Sequence, residues 1–141
     1  VEIVGSDIDA AALRAAKIGR YGKRAVGKLP QPLVEAYFER ADEGEWTIIP
    51  DLRESVIFTP ANLVERASML ANGQFDVVFC RNVLIYFDDQ SRVRAADNLY
   101  ACIVPGGFLC LGHTESIARV DERFEPKRFS DAIVYQRGGR S

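Results

Sequence analysis

The sequence has few of the residues from which metal sites and disulfide frameworks are built. It contains one histidine and three cysteines among 141 residues, and no two cysteines form a Cys-x-x-Cys pair. Both kinds of site need more of these side chains at closer spacing, so we expect no bound metal and no disulfide. The cysteines (Cys80, Cys102 and Cys110) are odd in number and lie in apolar segments. This pattern favours a reducing, cytoplasmic location.

Long apolar runs and a strong net charge are also missing. No run approaches the roughly 18 apolar residues that cross a bilayer, so we expect no membrane insertion. The formal net charge of −2 gives no general attraction to nucleic acid. A chain with 48% hydrophobic and 27% charged residues has the composition of an ordinary globular domain. The first residue, Val1, already belongs to a predicted strand, so we expect further sequence upstream.

Predicted strands and helices alternate along the chain, which indicates an α/β fold with a mostly parallel sheet and helices on both faces. Residues 77–80 form a continuous apolar run, typical of a strand buried on both faces, and residues 108–111 form another. Residues 2–5 are predicted to form a short strand. An alanine-rich helix is expected after it, with Asp9 as its N-cap and Gly19 at its end.

The other elements are predicted from turn residues and apolar spacing. Pro30 and Pro32 begin a helix that includes Phe38, and residues 46–49 and 55–58 suggest a hairpin. A helix capped by Asp88 or Asp89 carries Val93 on its apolar side and stops at Pro105-Gly106-Gly107. Residues 123–135 are predicted to form a closing antiparallel pair.

Polar side chains follow three of the predicted strands. Asp7 follows the first, Arg81 and Asn82 follow residues 77–80, and His113 to Glu115 follow residues 108–111. Ligands of open α/β sheets bind beyond the carboxyl ends of the strands, where a carboxylate can accept hydrogen bonds from both ribose hydroxyls of a nucleotide. Asp7 can equally cap the next turn. A nicotinamide-dependent oxidoreductase is compatible with Asp7, but no Gly-x-Gly-x-x-Gly supports it.

The motifs, taken in order, resemble those of one family. They are Asp7-Ile8-Asp9, Asn62-Leu63, Cys80-Arg81-Asn82-Val83-Leu84-Ile85-Tyr86-Phe87, Pro105-Gly106-Gly107 and Gly112-His113-Thr114-Glu115-Ser116. They resemble the catalytic domain of the chemotaxis receptor methyltransferases (CheR type), which use S-adenosylmethionine to methylate glutamate side chains. The resemblance covers residues 1–135. It implies a partial Rossmann-like class I methyltransferase domain over residues 1–137, a small β subdomain at residues 40–58 and a flexible tail at residues 138–141.

The resemblance implies that five residues bind the cofactor. Asp7 would hold the ribose hydroxyls, and Asn62 and Leu63 would line the adenine end. Arg81 and Asn82 would lie near the amino-acid end. The family's first strand and its glycine loop have no counterpart in this sequence. In the family's sheet, that first strand lies between the strand that ends at Asp7 and the strand that ends at Cys80. We therefore expect a longer polypeptide, or a strand borrowed from another copy, and little or no activity from this chain alone.

Tyr86 is the residue that the resemblance implies in catalysis, close to the transferred methyl group and orienting the acceptor. Simpler roles stay open: Tyr86 can be a half-buried aromatic, Asn62 can form a turn, and Arg81 can pair with Asp88. Cys80 is more easily explained as a buried thiol than as a nucleophile. No general base is needed, because a glutamate with a pKa of about 4.3 is ionised at neutral pH.

The implied partners are methyl-accepting chemotaxis receptors. A basic stretch at residues 14–28 is either a solvated surface or a docking surface for the glutamate-rich receptor helices. It lacks interleaved aromatics apart from Tyr21, which disfavours nucleic acid. Residues 40–58 contain only Gly44, so we expect no dependence on a receptor-tail pentapeptide. The alternative function is an inactive cofactor-binding or protein-interaction module with the same fold.

Overall fold

The computed structural model describes residues 1–117 and 121–139. The chain divides into two compact units, Val1–Pro60 and Ala61–Ser141. The helices and strands of the first unit are β1 (Ile3–Asp7), α1 (Ala10–Ile18), β2 (Arg20–Tyr21), α2 (Lys23–Val26), α3 (Gln31–Tyr37), β3 (Phe38–Arg40), β4 (Trp46–Ile48), α4 (Pro50–Glu54) and β5 (Val56–Pro60). Those of the second are α5 (Arg66–Leu70), β6 (Phe75–Cys80), α6 (Asp89–Cys102), β7 (Ile103–Leu111), β8 (Phe124–Arg128) and β9 (Ile133–Arg137).

In the first unit, a parallel pair of strands carries Asp7 at its carboxyl end. β1 pairs with β5, and Asp7 lies opposite Pro60. The helix predicted between the first strand and Gly19 is confirmed as α1. Asp9 caps it by accepting a hydrogen bond from the Ala11 backbone N–H at 2.8 Å, and Gly19 ends it with a φ of 72°. The left-handed conformation explains why glycine is found at that helix end.

The first unit also contains an antiparallel sheet with strand order β2-β4-β3. The predicted hairpin of residues 46–49 and 55–58 is wrong, because β4 pairs with β2 and β3 while β5 pairs with β1. Pro50 begins α4, a short helix, rather than a turn, and proline suits the first turn of a helix because it lacks an N–H. Phe38 was expected in a helix but begins β3, opposite Ile48.

The second unit is built on a four-stranded sheet with order β6-β7-β9-β8. β6 and β7 are parallel, and the predicted closing antiparallel pair is confirmed as β8 and β9. α6 begins at its N-cap Asp88, which accepts a hydrogen bond from the Ser91 backbone N–H at 2.7 Å. The helix packs on the sheet through a buried core whose members include Ala95, Leu99, Ile103, Leu109, Ile117 and Phe124.

Two expectations about burial in the second unit are wrong. Val77 and Phe79 are 46% and 75% exposed, so β6 is not buried on both faces. Side chains alternate along a strand, and only the face with Val78 and Cys80 packs against the core. Val93 is 55% exposed, so it lies outside the buried face of α6 that includes Ala95 and Leu99.

The helix before β7 ends earlier than the glycine pair predicts. α6 stops at Cys102 and β7 starts directly at Ile103, so Pro105 and Gly107 lie within the strand. Gly106 has a φ of 83°, which explains the glycine there. The predicted flexible tail at residues 138–141 ends in residues 140 and 141, which lie outside the described residues.

The register of β6 and β7 brings two strand ends together. Cys80 lies opposite Leu111, so the segments that begin at Arg81 and at Gly112 leave the sheet at the same edge. The α/β class and the parallel pairing are therefore confirmed, and the polar groups that follow these two strands are neighbours in the second unit.

Candidate functional site

One carboxylate holds the turn that follows β6. Glu115 accepts hydrogen bonds from the backbone N–H groups of Asn82 at 2.6 Å, Val83 at 3.1 Å and Leu84 at 3.0 Å. It also accepts one from the N–H of Gly112 at 2.8 Å, just beyond β7. A single side chain thus ties together the segments that follow two parallel strands.

The backbone of the turn is shaped to receive that carboxylate. Asn82 has a φ of 59°, in the left-handed region where asparagine is among the better tolerated side chains, and Val83 is right-handed helical. Successive residues of opposite hand turn their N–H groups toward one point and form an anion-binding nest. The Glu115 carboxylate occupies this nest.

Gly112 is required by space. A Cβ at this position would lie 2.7 Å from Glu115 Oε2 and would also overlap the side-chain oxygen of Asn82. The end of β7 therefore approaches the turn as closely as a bare backbone permits. The side-chain oxygen of Asn82 thus lies beside Gly112, at the end of the strand.

The three predicted site residues of this segment are exposed. Arg81 and Asn82 are exposed, and Tyr86 is 81% exposed in the short helical turn Leu84–Tyr86. Tyr86 is therefore not the half-buried aromatic of the simpler interpretation. Arg81 forms no ion pair within the described ranges, and Asp88 instead caps α6.

The loop containing Asn62 and Leu63 is fixed by side-chain hydrogen bonds. The Asn62 side-chain oxygen accepts from the Val64 N–H at 3.2 Å, so the predicted turn role is real, and the Asn62 N–H donates to Ser68 Oγ at 2.9 Å. The carbonyl of Leu63 accepts from Asn98 Nδ2 at 2.8 Å. Asn98 is only 4% exposed, so this bond ties the loop to the inner face of α6.

Asp7 belongs to the first unit, where its two carboxylate oxygens differ in their hydrogen bonding. One oxygen accepts a hydrogen bond from the Asp9 N–H at 2.9 Å, which is the capping role that the sequence left open. Its other oxygen has no hydrogen-bond partner among residues 1–117 and 121–139, and the residue is exposed. The carboxylate can thus cap the turn and still accept a hydrogen bond from a ligand.

The free groups suit the parts of S-adenosylmethionine that the resemblance assigns to them. A carboxylate oxygen at Asp7 complements ribose hydroxyls, and the guanidinium of Arg81 complements the carboxylate of an amino acid. The amides of Asn62 and Asn82 offer both donors and acceptors. Within each unit, the residue types present therefore fit the part of the cofactor that the resemblance assigns to them.

Cys80 is an inert thiol in this arrangement. Burial, together with the negative charge of Glu115, raises the pKa of Cys80 to about 11. At neutral pH the nucleophilic thiolate is therefore scarce. No group of three metal-binding side chains occurs in the part of the chain that the structure describes, and no helix there is long and apolar enough to span a membrane.

Two residues that organise these segments were not predicted from the sequence. Glu115 appeared only as one of several polar residues after a strand, and its four backbone partners depend on the register of β6 and β7. Asn98 was missed altogether. Its signal is a polar side chain on a helix face that is otherwise apolar, shared with Ala95, Leu99 and Cys102.

Comparison with known proteins identifies the family of this chain. The model of the family "CheR methyltransferase, SAM binding domain" matches residues 1–133. Chemotaxis protein methyltransferase 2 of Vibrio cholerae is 44% identical over 135 residues, which cover 96% of this chain and 47% of the relative. Chemotaxis protein methyltransferase 1 of Pseudomonas aeruginosa is 34% identical over 137 residues, which cover 96% of this chain and 49% of the relative. The chain thus spans about half the length of the curated relatives it matches.

A solved structure supports the fold alone. The N-methyltransferase NodS of Bradyrhizobium japonicum, in complex with S-adenosylhomocysteine, aligns with a TM-score of 0.55 and 12% identity. The alignment covers 96% of this chain and 66% of that one. The match to the family model, over nearly the whole chain, is what decides membership. The chain belongs to the CheR methyltransferase family, within the domain that binds S-adenosylmethionine.

Proposed function

We propose that the protein containing this chain methylates glutamate side chains of chemotaxis receptors, with S-adenosylmethionine as methyl donor. The observation that carries the proposal is the rigid turn after β6, which presents Arg81, Asn82 and Tyr86 outward in a chain of the CheR family. The matched relatives are named chemotaxis protein methyltransferases. Glutamate as the acceptor rests on the sequence resemblance.

The reaction asks the protein for alignment rather than for proton transfer. S-adenosylmethionine supplies a methyl group that is already activated by its bond to a positively charged sulfur. A receptor glutamate is ionised at neutral pH, so its oxygen attacks the methyl carbon while the carbon–sulfur bond breaks and its electron pair stays on sulfur. The products are a glutamyl methyl ester and an uncharged thioether. Holding reactants in line contributes roughly 7–11 kcal/mol in well-oriented systems.

Each predicted site residue has a place in this proposal. Asp7 binds the ribose hydroxyls through its free oxygen, and Asn62 and Leu63 bind the adenine end. Arg81 and Asn82 bind the amino-acid end, and the exposed Tyr86 orients the acceptor carboxylate. The inert Cys80 is consistent with direct transfer, because the nucleophile comes from the receptor and no general base is needed.

The basic stretch of the first unit is the surface that we propose for receptor docking. All six cations in it are exposed: Arg14, Lys17, Arg20, Lys23, Arg24 and Lys28. Arg20 has a weak ion pair with Glu45 at 3.9 Å. Such a surface attracts glutamate-rich helices, and its attraction weakens with salt. A cytoplasmic location and independence from a receptor-tail pentapeptide complete this part of the proposal.

Charge reversal tests the docking surface. Lys23→Glu/Arg24→Glu should weaken receptor binding at low salt, and the difference from wild type should shrink as salt is added. Arg94→Glu/Lys127→Glu makes the same change in net charge on the second unit and serves as the matched control. Equal loss in both variants would show a general charge effect and remove the docking surface from the proposal. Binding of a receptor-tail pentapeptide would overturn the expected independence from it.

The test of the reaction is a methylation assay with the full natural protein and a receptor cytoplasmic fragment. Radiolabelled methyl groups should appear on the receptor in a base-labile linkage, as expected for a carboxyl methyl ester. Tyr86→Ala should lower kcat with little change in affinity for S-adenosylhomocysteine. If the protein binds S-adenosylhomocysteine but transfers no methyl group to any receptor fragment, the function is that of an inactive cofactor-binding module.

A further inference from the structure

The Glu115 carboxylate is bound by the backbone of its own chain. Its two oxygens accept four backbone hydrogen bonds, three from consecutive residues of one turn and one from Gly112 at the end of the neighbouring strand. A side chain with this many backbone partners is poorly placed to contact a substrate. Its effect on any ligand must pass through the turn that it holds.

The conformation of that turn depends on an anion. Three N–H groups that converge on one point repel one another unless a negative charge lies between them. Asn82 also adopts the left-handed conformation, which costs more than a right-handed one for any residue with a Cβ. Without the carboxylate, both features favour a different backbone path, and Arg81, Asn82 and Tyr86 would move with it.

We propose that Glu115 is a positioning residue for methyl transfer. It fixes the anion nest at Asn82–Leu84 against the end of β7, and the nest fixes the outward side chains on either side of it. This inference rests on the proposed function, because it concerns the geometry of the same turn. It adds a residue that acts on the cofactor and the acceptor through the backbone turn that it holds.

The conservative variant separates the carboxylate from the shape of the side chain. Glu115→Gln keeps the size, but its amide group brings a second set of N–H donors toward backbone N–H groups. Displacement of reacting groups by about 1 Å lowers rates roughly 100-fold, so we expect kcat to fall by that order in the full protein. Affinity for S-adenosylhomocysteine should fall at least tenfold.

The matched control is Asp121→Asn, another carboxylate-to-amide change in the second unit. Asp121 accepts hydrogen bonds from the Arg123 backbone N–H at 3.0 Å and from its guanidinium, far in sequence from the nest. Both variants should lower the melting temperature, but only Glu115→Gln should lose activity and affinity below that temperature. Equal losses in the two variants would reduce Glu115 to a structural role and overturn the inference.

Chemical rescue gives a readout that folding alone does not supply. In Glu115→Ala the empty nest should bind added acetate, so acetate should restore S-adenosylhomocysteine affinity relative to chloride at the same ionic strength. If this variant does not fold, Glu115→Gln decides. If the wild type is active and the kcat of Glu115→Gln is within twofold of the wild-type value, the inference is refuted and the proposed function is not. A wild type that binds S-adenosylhomocysteine without transferring methyl groups would refute the proposed function alone, and the inference would then stand or fall on the affinity of Glu115→Gln.

Discussion

The hydrogen bond from Asn98 to Leu63 offers a sharp test of how the loop of Asn62 and Leu63 is held. Asn98 is 4% exposed on α6, and its Nδ2 donates to the carbonyl oxygen of Leu63 at 2.8 Å. Asn98→Leu keeps nearly the same volume and removes the donor. The carbonyl is then left partly buried without its partner, which costs about 1–3 kcal/mol.

A smaller term opposes that loss. Leucine has a higher helix propensity than asparagine by a few tenths of a kcal/mol. We therefore expect the free energy of unfolding to fall by about 1–2 kcal/mol, as a lower midpoint of urea denaturation with an unchanged slope.

The control is Gln74→Leu, because Gln74 Nε2 also donates to a backbone carbonyl, that of Ala101 at 3.1 Å, but from an exposed position. Its effect should stay within about 0.5 kcal/mol, as is usual for surface substitutions. An Asn98→Leu variant as stable as the wild type would refute the reasoning, since the buried bond would then contribute nothing.

Three further predictions concern the second unit. Gly112→Ala should destabilise the protein by about 1–3 kcal/mol, measured by urea denaturation, because its Cβ would lie 2.7 Å from Glu115 Oε2; an unchanged midpoint would contradict the close approach. Cys80 should not react with a thiol reagent in the native protein at pH 7, since burial raises the pKa of its thiol to about 11, and rapid labelling would contradict that environment. Hydrogen bonds from Arg123 lower the pKa of Asp121. The contribution of this carboxylate to stability is therefore present above the ordinary aspartate pKa and is lost as the pH falls through the lowered value. Asp121→Asn should flatten the acid side of a plot of unfolding free energy against pH, and an unaltered slope would show that the ion pair is not formed.

Local signals in the sequence predicted the elements that depend on neighbouring residues. The helix from Asp9 to Gly19 has a capping side chain at one end and a left-handed glycine at the other, and both are readable from the residues themselves. The Asp88 cap of α6 is a second example. The apolar run at residues 77–80 correctly indicated a strand, and the polar pair Arg81-Asn82 follows that strand directly.

Pairing between distant segments could not be predicted in the same way. The segments at 46–49 and 55–58 looked like neighbours because they are close in sequence, yet β5 pairs with β1 in register from Ile3 opposite Val56. Likewise, nothing local distinguishes Glu115 from Thr114 or His113. Its importance appears only when the register of β6 and β7 places Gly112 beside Asn82.

Calorimetric titration of the full protein with S-adenosylhomocysteine, for the wild type and for Asp7→Ala and Asn82→Ala, decides whether this domain binds the cofactor. We expect the wild type to bind, and we expect each variant, folded as judged by circular dichroism, to lose most of its affinity. A folded wild type that does not bind would contradict the assignment of this domain's function. Variants that bind as the wild type does would contradict the roles given to these two residues.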